Sequence, residues 1–307
     1  MSKMTMVKQL IIAGSLLCST ASAYKVSICK VVEHEAINSV VQGIKDFLKD
    51  EKIEYDIETC QADIALGYQI ATKFVSSKSD IIVAVGTTPS QCVFKFAKSG
   101  KTKLVFSSVT NPDDISKSLK NCNTTGVSNF VDLKPQLELF KKIQPNLKNL
   151  GILYNSGESN SISIIQKLEK ECKIQGIRLV KQSIQQSADI PQAINKLKNK
   201  VDAVFITNDN TALSGIPFIV KSCDKAKIPV YVSDTEQVAN GCLASLGPNQ
   251  YNIGIQTGKM IKRIKDGDNI NTIKLEYPDK TELFLNKKKA EQLGIDIPEE
   301  ILKEAKC

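Results

Sequence analysis

The sequence predicts an α/β protein built as two doubly wound parallel-sheet lobes joined by a hinge. Three observations carry this. Residues Ile81–Val85 run apolar without a polar break, which suits a strand buried on both faces of a parallel sheet. The run stops at Gly86, and Thr88 and Pro89 follow. These are a good cap and a good first-turn residue, so a helix is expected to start there. The same device of apolar run, small polar turn and helix start recurs along the chain and begins afresh after Asn129.

The elements follow in order. Residues 24–32 form the first strand, ending at Glu33-His34-Glu35. Ile37, Val40, Val41, Ile44, Phe47 and Leu48 make one apolar stripe and hence a helix. A strand over 53–59 and a helix over 64–75 lead to the run at 81–85 and its helix. Residues 103–109 are a strand closed by Thr110-Asn111-Pro112. Such alternation makes a parallel sheet with helices on both faces. Residues 124–129 read as a crossing between lobes. A second series then starts: helix 137–143, strand 149–154 with its turn 155–160, helix 162–172, strand 177–181, a helix capped by Asp189 through 197, and strand 201–207. A helix carrying Ile216, Ile219 and Val220 follows, then strands 228–232 and 242–246 and a long helix over 251–265 closed by Gly267. A strand from Ile270, a turn at Pro278-Asp279 and a short terminal helix complete the chain. One lobe comprises 24–126 with 248–270. The other comprises 127–247 with 271–307. The crossings near 126–130 and 246–248 are the expected hinges.

Composition narrows the function. Lys3 and Lys8, the apolar run 10–17 and Ala21-Ser22-Ala23 read as a secretory signal peptide cleaved after Ala23, too short to span a bilayer. Cys18 follows Leu17, where a lipid-attachment site wants a small residue. An exported, periplasmic monomer is expected. The formal charge is +8, but the lysines are scattered and no basic stripe with interleaved aromatics occurs, which argues against nucleic acid. Cleavage leaves Cys29, Cys60, Cys92, Cys122, Cys172, Cys223, Cys242 and Cys307. An oxidising compartment permits disulfides, although Cys92, Cys172 and Cys223 fall on apolar helix faces and read as buried free thiols. No C-x-x-C occurs and there is one His, so neither a metal nor a cofactor is expected. No G-x-S-x-G, P-loop, H-E-x-x-H or dinucleotide fingerprint occurs, and no catalytic residue is assigned.

Ligands of open α/β sheets bind beyond the carboxyl ends of the strands. Those ends carry His34; Thr87, Thr88 and Ser90; Ser108, Thr110 and Asn111; Asn155, Glu158, Ser159 and Asn160; Asp209 and Asn210; and Asp234 with Thr235. Hydroxyls and amides gather in the first lobe and carboxylates in the second. Two such edges facing each other offer an anion site opposite a cation site, which suits a zwitterion such as an amino acid. The same residue types also cap helices and form turns. Asp209, directly behind the strand 201–207, is the expected partner of a ligand ammonium, with helix capping as its other reading.

Several ordered motifs carry a resemblance. They are Asp80-Ile-Ile-Val-Ala-Val-Gly-Thr-Thr-Pro-Ser-Gln91, Val105-Phe-Ser-Ser-Val-Thr-Asn-Pro112, Thr125-Gly-Val-Ser128, Leu150-Gly-Ile-Leu-Tyr-Asn-Ser-Gly-Glu-Ser-Asn160, Leu246-Gly-Pro-Asn-Gln-Tyr-Asn-Ile-Gly-Ile-Gln-Thr-Gly-Lys259 and Leu285-Asn-Lys-Lys-Lys-Ala-Glu-Gln-Leu-Gly-Ile295. Together they resemble the tryptophan/tyrosine-type substrate-binding proteins of ABC transporters. The resemblance covers nearly the whole chain after residue 23. It implies a type I periplasmic-binding fold whose lobes close on a small solute, and an inner-membrane ABC permease as partner. The family often has Asp-Pro where this chain has Asn111-Pro112, so a negative charge near the cleft is absent here. Receptors that signal to a membrane kinase, or that bind a sugar or nucleoside, are the rival expectations. The lack of Trp disfavours ring stacking on a sugar.

Overall fold

The structure, a computed structural model, describes residues 23–306. The expected leader up to residue 22 and Cys307 lie outside the described residues. The chain alternates strand and helix as β1 (Tyr24–Lys30), α1 (Glu35–Phe47), β2 (Ile53–Thr59), α2 (Ile64–Ser76), β3 (Ile81–Val85), α3 (Thr87–Lys98), β4 (Leu104–Val109) and β5 (Thr124–Ser128). These strands make one all-parallel sheet in the order β2-β1-β3-β4-β5. β3 and β4 are buried along their whole length, as the apolar run at 81–85 requires. β2, at the edge, is half exposed.

The second series runs α4 (Leu133–Ile143), β6 (Asn149–Asn155), α5 (Ser159–Ile174), β7 (Arg178–Ile184), α6 (Ile190–Leu197), β8 (Ala203–Ile206), α7 (Asn210–Ser214), α8 (Ile216–Asp224), β9 (Val230–Val232) and β10 (Ala244–Gly247). Helix α9 (Gln250–Lys265) follows, then β11 (Glu282–Leu285), α10 (Lys287–Leu293) and α11 (Glu299–Glu304). The second sheet has the order β11-β10-β9-β8-β6-β7, parallel except for β11, which pairs antiparallel with β10. Each sheet has a separate apolar core on either face. In the first lobe, one core joins α1 and α9 to the sheet and the other joins α2 and α3. In the second lobe, one core lies under α4 and α5, where Tyr231 stacks on Phe140 at 4.0 Å, and the other lies under α6 and α8.

Four expectations are corrected. Residues Thr124–Ser128 are not a bare crossing but the edge strand β5. Its polar character hid it, yet it is buried because its hydroxyls are satisfied by backbone carbonyls, two of them distant in sequence. Thr124 donates to the Cys122 carbonyl, Thr125 to that of Ile273 and Ser128 to that of Val109. Helix α3 begins two residues earlier than expected, with Gly86 in place of Thr88 at its cap. Ile270 starts a 3₁₀ turn instead of a strand, and residues 271–276 stay with the first lobe, where Glu276 bridges to Val127. Asp189 stands at the start of α6, but its carboxylate turns back to accept from the Gln185 and Gln186 amides.

Helices α1 and α9 cross almost backbone to backbone. A Cβ on Gly254 would lie 2.1 Å from the Val40 carbonyl oxygen, and one on Gly43 would lie 2.2 Å from that of Tyr251. Gly254→Ala is therefore expected to lower stability by about 1–3 kcal/mol, the usual penalty for overpacking. A thermal melt reads it, and an unchanged midpoint would show that the helices part freely.

Among the described residues, no helix is long and apolar enough to cross a membrane, and no cluster of His, Cys, Asp and Glu could hold a metal ion. Cys29, Cys60, Cys92, Cys122, Cys172, Cys223 and Cys242 are free and buried, as the apolar helix faces imply for Cys92, Cys172 and Cys223.

Candidate functional site

The carboxyl ends of the two sheets face each other across a narrow cleft whose cavity volume is about 30 Å³. The first lobe lines it with His34, Ala36, Ile37, Gly86, Thr87, Ser108, Thr110, Asn129 and Gln250. The second lobe lines it with Asn160, Asn208, Asn210, Leu213 and Asp234. Of the residues named from sequence, His34, Thr87, Ser108, Thr110, Asn160, Asn210 and Asp234 are on the wall. Thr88, Ser90, Asn111, Asn155, Glu158, Ser159, Asp209 and Thr235 are not.

The anion-binding side is built by local backbone geometry. Gly86 has φ +98°, and a Cβ there would stand 2.7 Å from Val31 Cγ1, so the strand-to-helix turn requires glycine. No side chain caps α3, and the first-turn amides of a helix have no carbonyl a turn earlier. The Thr87 and Thr110 hydroxyls have no protein partner among the described residues. Ser90, by contrast, is turned inward and donates to the Gly86 carbonyl at 2.6 Å. Ser108 sits where the β4–β5 register slips, at φ +56°. A non-glycine residue held in the left-handed region is strained, and such strain gathers at ligand sites.

The carboxylates of the second lobe have separate duties. Glu158 accepts from the backbone N and side chain of both Asn210 and Thr211, at 2.6–3.1 Å. Asp209 is wholly buried. It caps α7 through the Ala212 amide (2.8 Å) and also accepts from the Asn155 amide (2.6 Å) and Ser161 Oγ (2.6 Å). Both groups therefore hold the β8–α7 loop against β6 and α5. Burial, with Glu158 as a neighbour, pushes Asp209 up to about 6. Asp234 differs. It is 3 % exposed and lines the cleft. One oxygen accepts from Gln250 Nε2 at 3.2 Å, and the other has no partner among the described residues. Burial, then the nearby Glu236, push it up to about 8. The amide oxygens of Asn129 and Asn208 are buried without partners too. A wall with an underused carboxylate and two orphan acceptors asks for a ligand rich in donors.

Other residues join the lobes. His34 Nδ1 caps α1 by accepting from the Ala36 amide at 3.3 Å, and its imidazole lies near Leu213 on the opposite wall of the cleft. Burial holds its pKa below the usual value, so it stays neutral at pH 7, as an accepting Nδ1 requires. At the rim, Ser163 donates to Asp114 Oδ1 at 2.8 Å, and the Asn111 amide reaches Ser163 Oγ at 3.4 Å. Gln91 Nε2 reaches Ser159 Oγ at 3.3 Å. Asn111 and Ser159 thus bridge the two lobes outside the pocket.

Seven wall residues escaped the sequence reading. Asn129 follows β5, whose polar sequence hid a strand end. Asn208 stands beside Asp209, whose charge is the stronger sequence signal. Gln250 stands in a motif of the family resemblance, where α9 opens beyond the carboxyl end of β10. Gly86 signals only a turn in sequence. Ala36, Ile37 and Leu213 lie in the first turns of helices, and nothing in sequence separates them from core residues.

Residues 25–307 match the model of a family described as ABC transporter substrate binding protein. A tyrosine-binding protein of Clostridioides difficile is 29 % identical over 85 % of this chain and 78 % of its own. The structure of an ABC domain in complex with L-Trp from Streptococcus pneumoniae superposes with a TM-score of 0.85, at 29 % identity over 92 % of this chain and 99 % of that one. A ligand-free, open substrate binding protein from C. difficile, also 29 % identical and covering 90 % and 96 %, superposes at 0.69. At equal identity the lobes here match the ligand complex better than the open form, in keeping with the bonds that cross the cleft. The chain belongs to the ABC transporter substrate binding protein family, with the type I periplasmic-binding fold.

Proposed function

We propose that the protein is an exported receptor that captures an L-amino acid, aromatic in side chain, between its lobes and delivers it as a monomer to an ABC permease, without chemical turnover. The leader is cleaved after Ala23 and the receptor works in the periplasm. The observation that carries the reading is the pairing of an uncapped helix start and free hydroxyls on one wall with an underused buried carboxylate on the other. The α-carboxylate is received by Thr87, Thr110 and the N-terminus of α3. The ammonium is received by Asp234 with the Asn129 and Asn208 amide oxygens. The side chain then lies among Ala36, Ile37 and Leu213. A tyrosine-binding relative and a tryptophan-bound one support the aromatic choice. Mass spectrometry of the ligand released from protein purified without dialysis tests it. An amino acid is expected, and a sugar or nucleoside would overturn the reading.

Two measurements examine the ends of the site. L-Tyrosinamide, which lacks the anion, is expected to bind at least about tenfold more weakly than L-tyrosine, the loss of a hydrogen-bonded charge. Equal binding in calorimetry would remove the α3 assignment. At the other end, free Asp234 holds a proton below about pH 8, and a bound ammonium favours the carboxylate. Binding should therefore release a proton, and affinity should rise with pH by at most about tenfold per unit until about pH 8. Calorimetry in buffers of different ionisation heat reads the proton. A flat profile from pH 6 to 8 would take the ammonium away from Asp234.

A further inference from the structure

Gln250 is the first residue of α9, 1 % exposed, where the chain re-enters the first lobe. Its backbone amide donates to Glu236 Oε1 at 2.9 Å. Its side chain is committed at both ends: Nε2 donates to Asp234 Oδ1 at 3.2 Å, and Oε1 accepts from Ser108 Oγ at 2.8 Å. Ser108 Oγ in turn accepts from Asn129 Nδ2 at 3.0 Å. Asp234 and Glu236 belong to the second lobe, and Ser108 and Asn129 to the first. One directed chain of hydrogen bonds therefore crosses between the lobes.

The direction follows from chemistry. Beside a bound ammonium Asp234 is ionised, and an ionised carboxylate only accepts, so in the liganded site the amide must turn its nitrogen to Asp234 and its oxygen to Ser108. The Ser108 proton is then spent on Gln250, and Ser108 can only accept from Asn129. Asn129 must present its nitrogen to Ser108, which leaves its oxygen to the cleft. That oxygen is one of the orphan buried acceptors. The left-handed backbone of Ser108 holds the hydroxyl in the one place that links both amides.

We propose that Gln250 is a positioning residue: it turns acceptors from both lobes, Asp234 in one and Asn129 in the other, toward the ligand ammonium and so makes closure depend on that group. The inference rests on the amino-acid reading above. Polarised chains of this kind strengthen link by link, so a change in one lobe is felt in the other.

The test compares L-tyrosine with 3-(4-hydroxyphenyl)propanoate, the same molecule without its amino group, by calorimetry on the full protein. The wild type is expected to prefer L-tyrosine by roughly thirtyfold or more. Gln250→Met should cut that preference by about tenfold to a hundredfold, the loss of a hydrogen bond to a charged group. Ser108→Ala, in the opposite lobe, should cut it in the same sense. A merely structural role would weaken both ligands alike and preserve the ratio, which would overturn the proposal. If Gln250→Met does not fold, an unchanged ratio in Ser108→Ala overturns it equally, and a reduced one supports it. Failure of the wild type to bind L-tyrosine or L-tryptophan would sink the amino-acid reading and this inference with it. Normal wild-type preference with an unchanged ratio in the variants would sink the inference alone.

Discussion

Asp234→Asn should lower affinity for the amino acid by about 2–5 kcal/mol, roughly thirtyfold to several thousandfold, while the ligand-free protein melts no lower. The asparagine oxygen still accepts from Gln250 Nε2, so the local geometry survives. What goes is the charge, and a buried ammonium left without its counter-charge accounts for the loss. The stability side has a definite sign. The folded-state value of Asp234 is raised above the unfolded one, about 3.9, to about 8 by burial and by Glu236. Its contribution to stability is therefore full below the unfolded value and is lost as pH rises toward 8. Removing it should raise the melting temperature more at pH 8 than at pH 6. Calorimetry and thermal melts at both values test the two halves together. Wild-type affinity in the variant would show that Asp234 is only part of the frame.

Much of this fold is written in local signals. The apolar runs at 81–85 and 203–206 are buried strands because a strand covered on both faces needs no polar alternation. Pro112 and Pro191 open turns or helices where their missing N–H costs nothing. The misses share a cause. β5 is a strand of Thr, Gly, Val and Ser whose burial depends on carbonyls of Ile273 and Val109, distant in sequence. The site divides in the same way. The strand-end rule found the region, and half of the residues it named line the cleft. It could not tell a hydroxyl that faces the ligand, Thr110, from one that bonds its own turn, Ser90. Nor could it tell Asp234, with an oxygen to spare, from Glu158, whose oxygens are already taken by the loop.

The strongest effect on stability is expected from Asp209→Ala. One carboxylate there ties three elements: the end of β6 through the Asn155 amide, α5 through Ser161 and α7 through the Ala212 amide. Stranding a buried donor costs about 1–3 kcal/mol. The Ser161 hydroxyl can turn to another acceptor and the two amides cannot, so the loss should be about 3–5 kcal/mol and the melting point should fall by roughly 10 °C. The pH dependence separates this from a generic core defect. Burial and Glu158 raise Asp209 to about 6, above the unfolded value of about 3.9. Its contribution is thus full at low pH and declines as pH rises through 6. The deficit of the variant should be larger at pH 5 than at pH 8. Affinity should fall by less than about tenfold, because α7 still carries Asn210 and Leu213 to the wall and a cap contributes only about 0.5–2 kcal/mol. Melting curves at the two pH values and a binding isotherm decide the matter. A variant that melts normally but loses thirtyfold in affinity would place the ligand ammonium on Asp209 in place of Asp234.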